Sequence, residues 1–406
     1  MDQYPIEAAG STIENNPMYR VFFKSPIDPI RLEEAFRKAI IKYPLFGTKV
    51  EFDKEYYLID NEAPLKIIKS EEKDRPKTFG KNTNNYPWMC CYSENKLTFE
   101  WLHGVSDGTG ALNFIKTVLI YYFNAEESIQ NVKTLVASGL EPFFDKNEKG
   151  INFINEKEGF SFKQFPVYKR GYESDCYCLK ADTKEILSLA HNTYSSVAPV
   201  ISVLFSKAIR MHLPENMKNR DVACNIVLDL RRPLNYETMH NCVEYKRITL
   251  TDERDNKSLT SVFQEYKDIL DKARLKENVV KIITDRVKMF KAYHFLPFKK
   301  WLKFCVKLVG LLIKDSDCNF VFTYPGKIDL PEKVMDRVEN IDFKVWHDFG
   351  ECILAAVDYN GSFNMNICIN FVEKGVIEDF IKLCDGVGIH WQIVEKGLHV
   401  QAHYEE

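Results

Sequence analysis

The sequence lacks an excess of positive charge and any long uninterrupted apolar run. Its 55 Lys and Arg residues face 58 Asp and Glu residues, a formal net charge of -3, so no surplus of cations exists to neutralise a nucleic-acid backbone. The most apolar run, residues 301–313, is shorter than a membrane span and is interrupted by Lys303 and Lys307. We therefore expect no nucleic-acid partner and no transmembrane segment.

Cysteine pairing motifs are also missing. The eleven cysteines are odd in number and show no Cys-x-x-Cys spacing, and no group of His, Cys, Asp and Glu has the spacing of a metal site. The N-terminus, MDQYPIEAAG, has neither the basic nor the apolar stretch of a signal peptide. These features predict a cytoplasmic protein with free thiols and no bound metal.

The overall composition is that of a globular protein with a substantial core. Hydrophobic residues make up 45%, aromatic residues 13% and charged residues 28%. A chain of 406 residues divides most naturally into two lobes. Because periodicity weakens between residues 140 and 175, we predict an N-terminal lobe over 1–175 and a C-terminal lobe over 176–406, with a cleft between them.

Local signals predict several elements. Asp28 and Pro29 are typical of a helix start, and the helix is expected to stop at Pro44. Residues 96–102 read as a strand, and apolar residues from Ala111 to Tyr122 recur at helical spacing. Asn360-Gly361 predicts a two-residue hairpin turn. The stretch VIEDFIKLCDGVG, residues 376–388, is predicted to be an amphipathic helix and the last element of the chain.

The segment HGVSDGTG, residues 103–110, lies at the predicted strand-to-helix junction. Asp107-Gly108 alone is a common turn dipeptide. A shared metal ion on His103 and Asp107 is disfavoured, because the glycines oppose a helix there and no companion ligands are apparent. A functional interpretation is that the loop holds His103 as a base, since the reference pKa of histidine is about 6.5. The glycines would let a substrate approach the backbone.

This segment matches the HxxxDG motif of the acyltransferase superfamily that includes chloramphenicol acetyltransferase, alcohol acetyltransferases, plant acyl-CoA-dependent acyltransferases and condensation domains. Further segments resemble that superfamily in the order in which its members carry them, from about residue 5 to about residue 395. They are AFRKAIIKYPLF, IVLDLRRPLN followed by MHNCVEY, NFVFTYPGKIDLP, and AAVDYNGSFNMNICINF.

Two segments depart from the family pattern. Thr323-Tyr324-Pro325-Gly326 stands where many members have Ser-Asn before the glycine, so the role of that asparagine cannot be carried over. The triplet Asp348-Phe349-Gly350 is similar to the start of a plant-branch motif but lacks the Trp-Gly that follows it there. We treat the triplet as chance, and we expect the neighbouring His347 to be structural.

The resemblance implies an α/β fold of two chloramphenicol-acetyltransferase-like lobes, which form a pseudo-dimer around a central tunnel. It implies an enzyme that moves an acyl group, such as acetyl, from coenzyme A directly to an alcohol or amine without an acyl-enzyme. Acyl-CoA would then be a co-substrate rather than a permanently bound cofactor. Because both lobes lie in one chain, a monomer would suffice.

The resemblance also assigns roles to residues. His103 would be the general base, and Gly108 belongs to the motif. Asp107 would be a structural anchor paired with an arginine, for which Arg231 is the first choice and the adjacent Arg232 the second. Thr323 is the candidate donor to the oxyanion. The residues that bind the coenzyme A phosphates are not assigned.

Two alternatives stay open. The protein could be a free-standing condensation-type enzyme that takes its acyl group from a carrier-protein thioester. It could also be a non-catalytic binding or scaffold protein that keeps the fold and the motif. The identity of the acceptor and the length of the acyl chain are open in every case.

Overall fold

A computed structural model describes residues 16–52, 56–75, 80–131, 143, 173–213, 215–217, 220–293, 318–345, 352–369 and 375–400. The apolar run 301–313, His347 with the triplet 348–350, and nearly all of the 140–175 region lie outside these residues. Within the described ranges, no helix combines the length and the apolar character that crossing a membrane requires.

The described chain contains both strands and helices. The strands are β1 Met18–Phe23, β2 Thr48–Phe52, β3 Tyr56–Asp60, β4 Ile67–Lys69, β5 Trp88–Ser93, β6 Lys96–Trp101, β7 Glu173–Asp182, β8 Val222–Asp229, β9 Val243–Leu250, β10 Phe320–Thr323, β11 Lys327–Ile328, β12 Val338–Lys344, β13 Cys352–Tyr359, β14 Ser362–Ile369 and β15 Gln392–Val400. The helices are α1 Pro29–Lys42, α2 Gly108–Tyr122, α3 Thr183–Asn192, α4 Val197–Met211, α5 Arg231–Leu234, α6 Asp252–Asp255, α7 Leu259–Ala273, α8 Lys276–Tyr293, α9 Glu332–Met335 and α10 Val376–Asp385.

The smaller of the two main sheets has five strands in the order β12-β1-β6-β5-β4. One of its faces is covered by α1 and α2, which pack on each other and on the sheet through a cluster of aromatic side chains. Phe114 of α2 stacks on Phe46 with ring centroids 4.1 Å apart, and Phe36 of α1 stacks on Trp88 at 5.2 Å. Aromatic side chains bury large apolar areas, so this cluster stabilises the N-terminal part of the fold.

The larger sheet has eight strands, seven of them in the order β15-β7-β14-β13-β10-β8-β9, with β11 added beside β13. It is mixed: β10 runs parallel to β8 and β13, while β13, β14 and β7 are antiparallel neighbours. Every residue of β13 is buried. Leu354 and Ala356 belong to one hydrophobic core, whereas Ile353 and Val357 belong to the other. Strand β13 therefore separates the two cores.

Strand β12 joins the two halves of the chain. It comes from the C-terminal half in sequence, yet it pairs antiparallel with β1 as the edge of the smaller sheet, with Tyr19 opposite Phe343. It also packs on the larger sheet, where the Asn366 side chain donates to the Phe343 carbonyl oxygen over 3.0 Å. This exchange could not be predicted from the sequence, because strand pairing is not encoded locally.

The two sheets meet along a polar contact that we call the seam. The seam consists of Arg20, Glu72, Asp342 and Lys344 from the side of the smaller sheet and Cys176, Cys178, Asn366 and Cys368 from the larger sheet. Arg20 Nε and Nη2 donate to the two carboxylate oxygens of Asp342 at 2.7 Å each. Arg20 Nη2 also reaches Asn366 Oδ1 at 3.2 Å. Arg20 and Asp342 are both about 1% exposed. Their attraction for each other offsets the cost of burying the two charges.

Several local predictions are confirmed. The Asp28 side chain accepts from the amides of Ile30 and Arg31 at 3.0 and 3.2 Å and starts α1. Asn360 and Gly361 have φ values of 50° and 78°, as the turn between β13 and β14 requires. One expectation is wrong: the predicted C-terminal helix forms α10 but is not the last element, because β15 follows it and pairs with β7.

Candidate active site

The loop between β6 and α2 carries the HxxxDG motif. The helix begins at Gly108, and Asp107 is its N-cap, with Asp107 Oδ1 accepting from the Gly110 amide over 2.9 Å. The predicted Asp107-Gly108 turn is therefore replaced by a helix cap, because the carboxylate satisfies an amide that the first helical turn leaves unpaired. Residues 103–107 are not helical.

Asp107 is tied to Arg231 by two parallel hydrogen bonds. Arg231 Nη1 donates to Asp107 Oδ2 and Arg231 Nη2 donates to Asp107 Oδ1, each at 2.9 Å. The side chains are 1% and 2% exposed. The Cys242 amide donates to Asp107 Oδ2 at 2.7 Å as well. With its oxygens occupied in this way, Asp107 anchors the loop and faces away from solvent.

Arg231 joins three chain segments: the motif loop, the end of β8 and residues 238–240. Besides Asp107, its guanidinium donates to the carbonyl oxygens of Thr238 at 2.9 Å and His240 at 3.0 Å, and to Asp229 Oδ1 at 3.1 Å. Burial acts to lower the pKa of Arg231, but the nearby carboxylates of Asp107 and Asp229 outweigh burial and raise it. Arg231 is therefore a permanently charged clamp, whereas the adjacent Arg232 is exposed.

His103 is half-buried at the start of the loop. Its Nδ1 atom lies 3.3 Å from the Ser106 carbonyl oxygen, which can only accept a hydrogen bond. In the tautomer that satisfies this carbonyl, Nδ1 carries the proton and Nε2 keeps its lone pair. Asn241 donates from Nδ2 to the His103 carbonyl oxygen at 3.4 Å and lies equally far from Nδ1. These contacts orient the ring.

The loop is also fixed against the segment before β9. The Ser106 hydroxyl donates to the Met239 carbonyl oxygen over 2.6 Å. A Cβ atom on Gly110 would lie 2.3 Å from both that carbonyl oxygen and the Ser106 hydroxyl, a distance that no side chain tolerates. Gly110, two residues after the motif, is therefore required by this close packing of α2 on residue 239.

Gly108 is packed as well, on the side of the smaller sheet. Tyr19 in β1 donates its hydroxyl to the Gly108 carbonyl oxygen over 2.8 Å. A Cβ atom at Gly108 would meet Pro325 at 3.1 Å and Phe343 at 3.2 Å. Burial, followed by the Asp107 carboxylate, raises the pKa of Tyr19 well above its ordinary value, so this tyrosine keeps its proton and its role as a donor.

A cavity of about 70 Å³ lies between the two sheets. His103 and Thr323 both line it. Its lining is otherwise mostly apolar: the apolar members are Pro17, Val227, Val243, Val321, Pro325, Phe343, Val345 and Ile353. The other polar members are Asp107, Thr109, Asp229, Tyr245 and Tyr324. Residues from both halves of the chain thus line one cavity whose surface is mostly apolar but which also holds several polar side chains.

His103, Asp107, Gly108 and Thr323 therefore line one cavity, and Arg231 is hydrogen-bonded to Asp107. The sequence did not single out Tyr19, Asp229 or Asn241, which support the loop or line the cavity. Asn241 lay within the MHNCVEY segment of the family resemblance, which was a usable signal. Tyr19 sits in a strand in which nearly every residue is buried, and nothing in the sequence distinguishes it from a core tyrosine.

No protein-family model matches the sequence, and no curated protein matches it. Solved structures do. TRI101 of F. graminearum, solved with coenzyme A and T-2 mycotoxin, is 11% identical with a TM-score of 0.60, covering 96% of this chain and 98% of that one. Polyketide synthase associated protein 5 from Mycobacterium tuberculosis is 11% identical with a TM-score of 0.60, covering 94% and 96%.

A third structure is the condensation domain from Monacolin K polyketide synthase MokA. It is 9% identical with a TM-score of 0.54, covering 92% of this chain and 91% of that domain. At these identities the likeness concerns the fold, and the coverage extends over nearly the whole length of each protein. The chain therefore has the chloramphenicol-acetyltransferase-like fold that condensation domains share, as the HxxxDG resemblance predicted.

Proposed function

We propose that this protein is an acyltransferase that moves an acyl group from coenzyme A to an alcohol or amine, with His103 as the general base. The observation that carries the proposal is the arrangement of the motif. His103 lines the cavity with its Nδ1 atom directed to the Ser106 carbonyl, whereas Asp107 is fully engaged by Arg231 and two amides. The two motif residues thus have separate roles.

In the proposed reaction, Nε2 of His103 takes the proton of the acceptor hydroxyl or amine as that group attacks the thioester carbonyl carbon. The carbonyl oxygen becomes an oxyanion, to which the Thr323 hydroxyl donates. The carbon–sulfur bond then breaks, and the departing thiolate of coenzyme A takes the proton from the imidazolium. The acyl group passes directly to the acceptor, so no protein nucleophile is needed.

The choice of coenzyme A over a carrier protein as donor is supported by TRI101, which was solved with coenzyme A bound. The likeness to a condensation domain keeps the carrier-protein thioester as the second candidate. The predicted division into lobes at residue 175, the tunnel and the monomeric state are parts of the same proposal. A site that draws its lining from both halves of one chain is compatible with a working monomer.

The test is turnover by the purified full chain. Acetyl-CoA and longer acyl-CoAs are incubated with a mixed set of alcohols and amines, and thiol release and product mass are measured. We expect His103→Ala to lower the rate about 100-fold to 10,000-fold, the usual contribution of general-base catalysis. The matched control is His191→Ala, which removes an exposed histidine of α3 and should leave the rate unchanged.

Each outcome discriminates between the candidates. If no acyl-CoA is consumed above the His103→Ala background, the coenzyme A proposal is wrong, and acylated carrier proteins become the donors to test. If turnover occurs and the two histidine variants match the wild type, His103 is not the base. A non-catalytic scaffold would give no turnover with either class of donor.

A further inference from the structure

A pair of cysteines lies in the seam, outside the candidate active site. Cys176 is in β7 and Cys368 is in β14, and they are directly opposite each other in the antiparallel register of these strands. Their sulfur atoms are 3.0 Å apart. The two residues are 9% and 3% exposed and form a small buried cluster of their own.

The backbone at this pair suits a covalent bridge. Residues directly opposite each other on antiparallel strands have Cα atoms about 4.5 to 5.5 Å apart, within the range of about 4.4 to 6.8 Å that disulfides span. Only a side-chain adjustment of about 1 Å would bring the sulfurs of Cys176 and Cys368 from their present separation to bonding distance. The two strands need not move.

The surroundings of the pair shift the pKa values of the two sulfurs in opposite directions. The hydrogen bond from Cys368 lowers the pKa of Cys176 against the opposing effect of burial, and the cations Lys344 and Arg20 lower it further. The pKa of Cys368 is raised well above its ordinary value, first by its hydrogen bond to Cys176 and then by burial. Cys176 is also the more exposed of the two. Cys176 is therefore the sulfur suited to attack an oxidant, and Cys368 is suited to attack the oxidised Cys176 and close the disulfide.

Cys178 provides a contrast two residues further along β7. It is also buried, but it faces a carboxylate: its sulfur lies 4.0 Å from Asp342 Oδ2. Burial, followed by Asp342, raises the pKa of Cys178 to about 12. A thiolate is the reactive form of cysteine, so Cys178 is expected to be inert under conditions in which Cys176 reacts.

We propose that Cys176 and Cys368 form a reversible disulfide across β7 and β14, an oxidative modification site that takes a peroxide as its oxidant. The Cys176 thiolate attacks one peroxide oxygen, the O–O bond breaks, and the departing hydroxide takes a proton to become water. Cys176 is then a sulfenic acid. The Cys368 sulfur attacks the Cys176 sulfur, the S–O bond breaks, and a second water leaves with the Cys368 proton.

In total, two electrons pass from the two sulfurs to the peroxide, and two waters form. A dithiol reductant reverses the modification. The bridge would form beside Lys344, whose neighbours in the chain, Phe343 and Val345, line the cavity. The modification site is therefore close to the candidate active site, but its existence does not depend on the proposed acyltransferase function.

The test uses the full chain, first reduced with dithiothreitol and desalted. It is treated with hydrogen peroxide in a time series, then quenched in denaturant with N-ethylmaleimide, and analysed by intact mass and by non-reducing peptide mapping. We expect a species that takes up two fewer maleimides, with a linked peptide pair containing Cys176 and Cys368. Dithiothreitol should restore full labelling.

Variants separate the roles of the residues. Cys176→Ser and Cys368→Ser should each abolish the linked species, while Cys178→Ser, the matched control, should form it at the wild-type rate. Lys344→Gln should slow its formation several-fold, because it removes a cation that lowers the pKa of Cys176 and so reduces the fraction of thiolate. The proposal is overturned if peroxide leaves Cys176 and Cys368 fully labelled, or if the first disulfide to form joins other cysteines.

Discussion

Replacing Arg231 by lysine tests whether the clamp beneath the candidate site depends on the shape of the guanidinium or only on its charge. Arg231 makes five side-chain hydrogen bonds, two to Asp107 and one each to Asp229, Thr238 and His240. A lysine ammonium has three donors that radiate from a single atom and cannot match a bidentate carboxylate. At least two of the five bonds must therefore be lost.

The expected change in the free energy of unfolding depends on which hydrogen bonds are lost. The carbonyl oxygens of Thr238 and His240 accept from two different nitrogens of the guanidinium, Nε and Nη2, and both residues are buried. A buried group left without its partner costs about 1 to 3 kcal/mol, and disrupting a buried ion pair costs about 3 to 5 kcal/mol. We expect Arg231→Lys to lower the free energy of unfolding by about 3 kcal/mol, which is roughly a hundredfold shift in the folding equilibrium.

The assay is urea unfolding followed by circular dichroism, with the midpoint and slope compared for each variant. The matched control is Arg232→Lys, at the adjacent exposed arginine, which should change the free energy of unfolding by less than about 0.5 kcal/mol. The reasoning is refuted if the two substitutions have equal effects. It is also refuted if Arg231→Lys unfolds at the wild-type urea concentration.

Two further substitutions test the oxyanion donor and the seam. Thr323→Val should lower acyl transfer about 100-fold because it removes a hydroxyl donor, whereas Thr323→Ser should keep most of the rate; equal rates for the two variants in the thiol-release assay would contradict the role. Burial acts to raise the pKa of Glu72, but Arg20, Lys344 and Lys96 lower it well below its ordinary value of 4.5. The stability from Glu72 is therefore present above about pH 4.5 and is lost as the pH falls through the lowered pKa. Glu72→Gln should thus cost about 2 kcal/mol at pH 7 and progressively less in acid; a cost that does not change with pH in urea unfolding series would contradict this.

Much of the fold could be predicted because its signals are local. The Asp28 cap, the Asn360-Gly361 turn and the helical spacing after residue 110 depend on neighbours within a few positions, and each element formed. The order of motifs along the chain predicted the fold, which the structural likeness confirms. The end of the chain was less predictable: β15 contains exposed Ile393 and Val394 among charged residues, and it is recognisable as a strand only through its pairing with β7.

The candidate site was predictable only where the resemblance supplied long-range information. Arg231 lies 124 positions from Asp107, and no periodicity connects the two. Tyr19 and Asn241 reach the loop through pairing of distant segments, which composition and spacing do not encode. The cysteine pair in the seam could not be predicted for the same reason, since Cys176 and Cys368 become neighbours only when β14 pairs with β7.

Because β12 of the C-terminal half pairs with β1 of the N-terminal half, the protein cannot simply be divided between the two halves for experiments. A fragment that ends near residue 175 would carry β1, with the sequence MYRVFF, but would lack the strand that covers its outer edge. An uncovered edge of this kind recruits other chains, so such a fragment would be prone to aggregate however well α1 and α2 formed. A peptide spanning residues 338–344 would be its natural complement. The chain is thus better suited to a split-protein design that reassembles through this one strand than to expression as two independent halves.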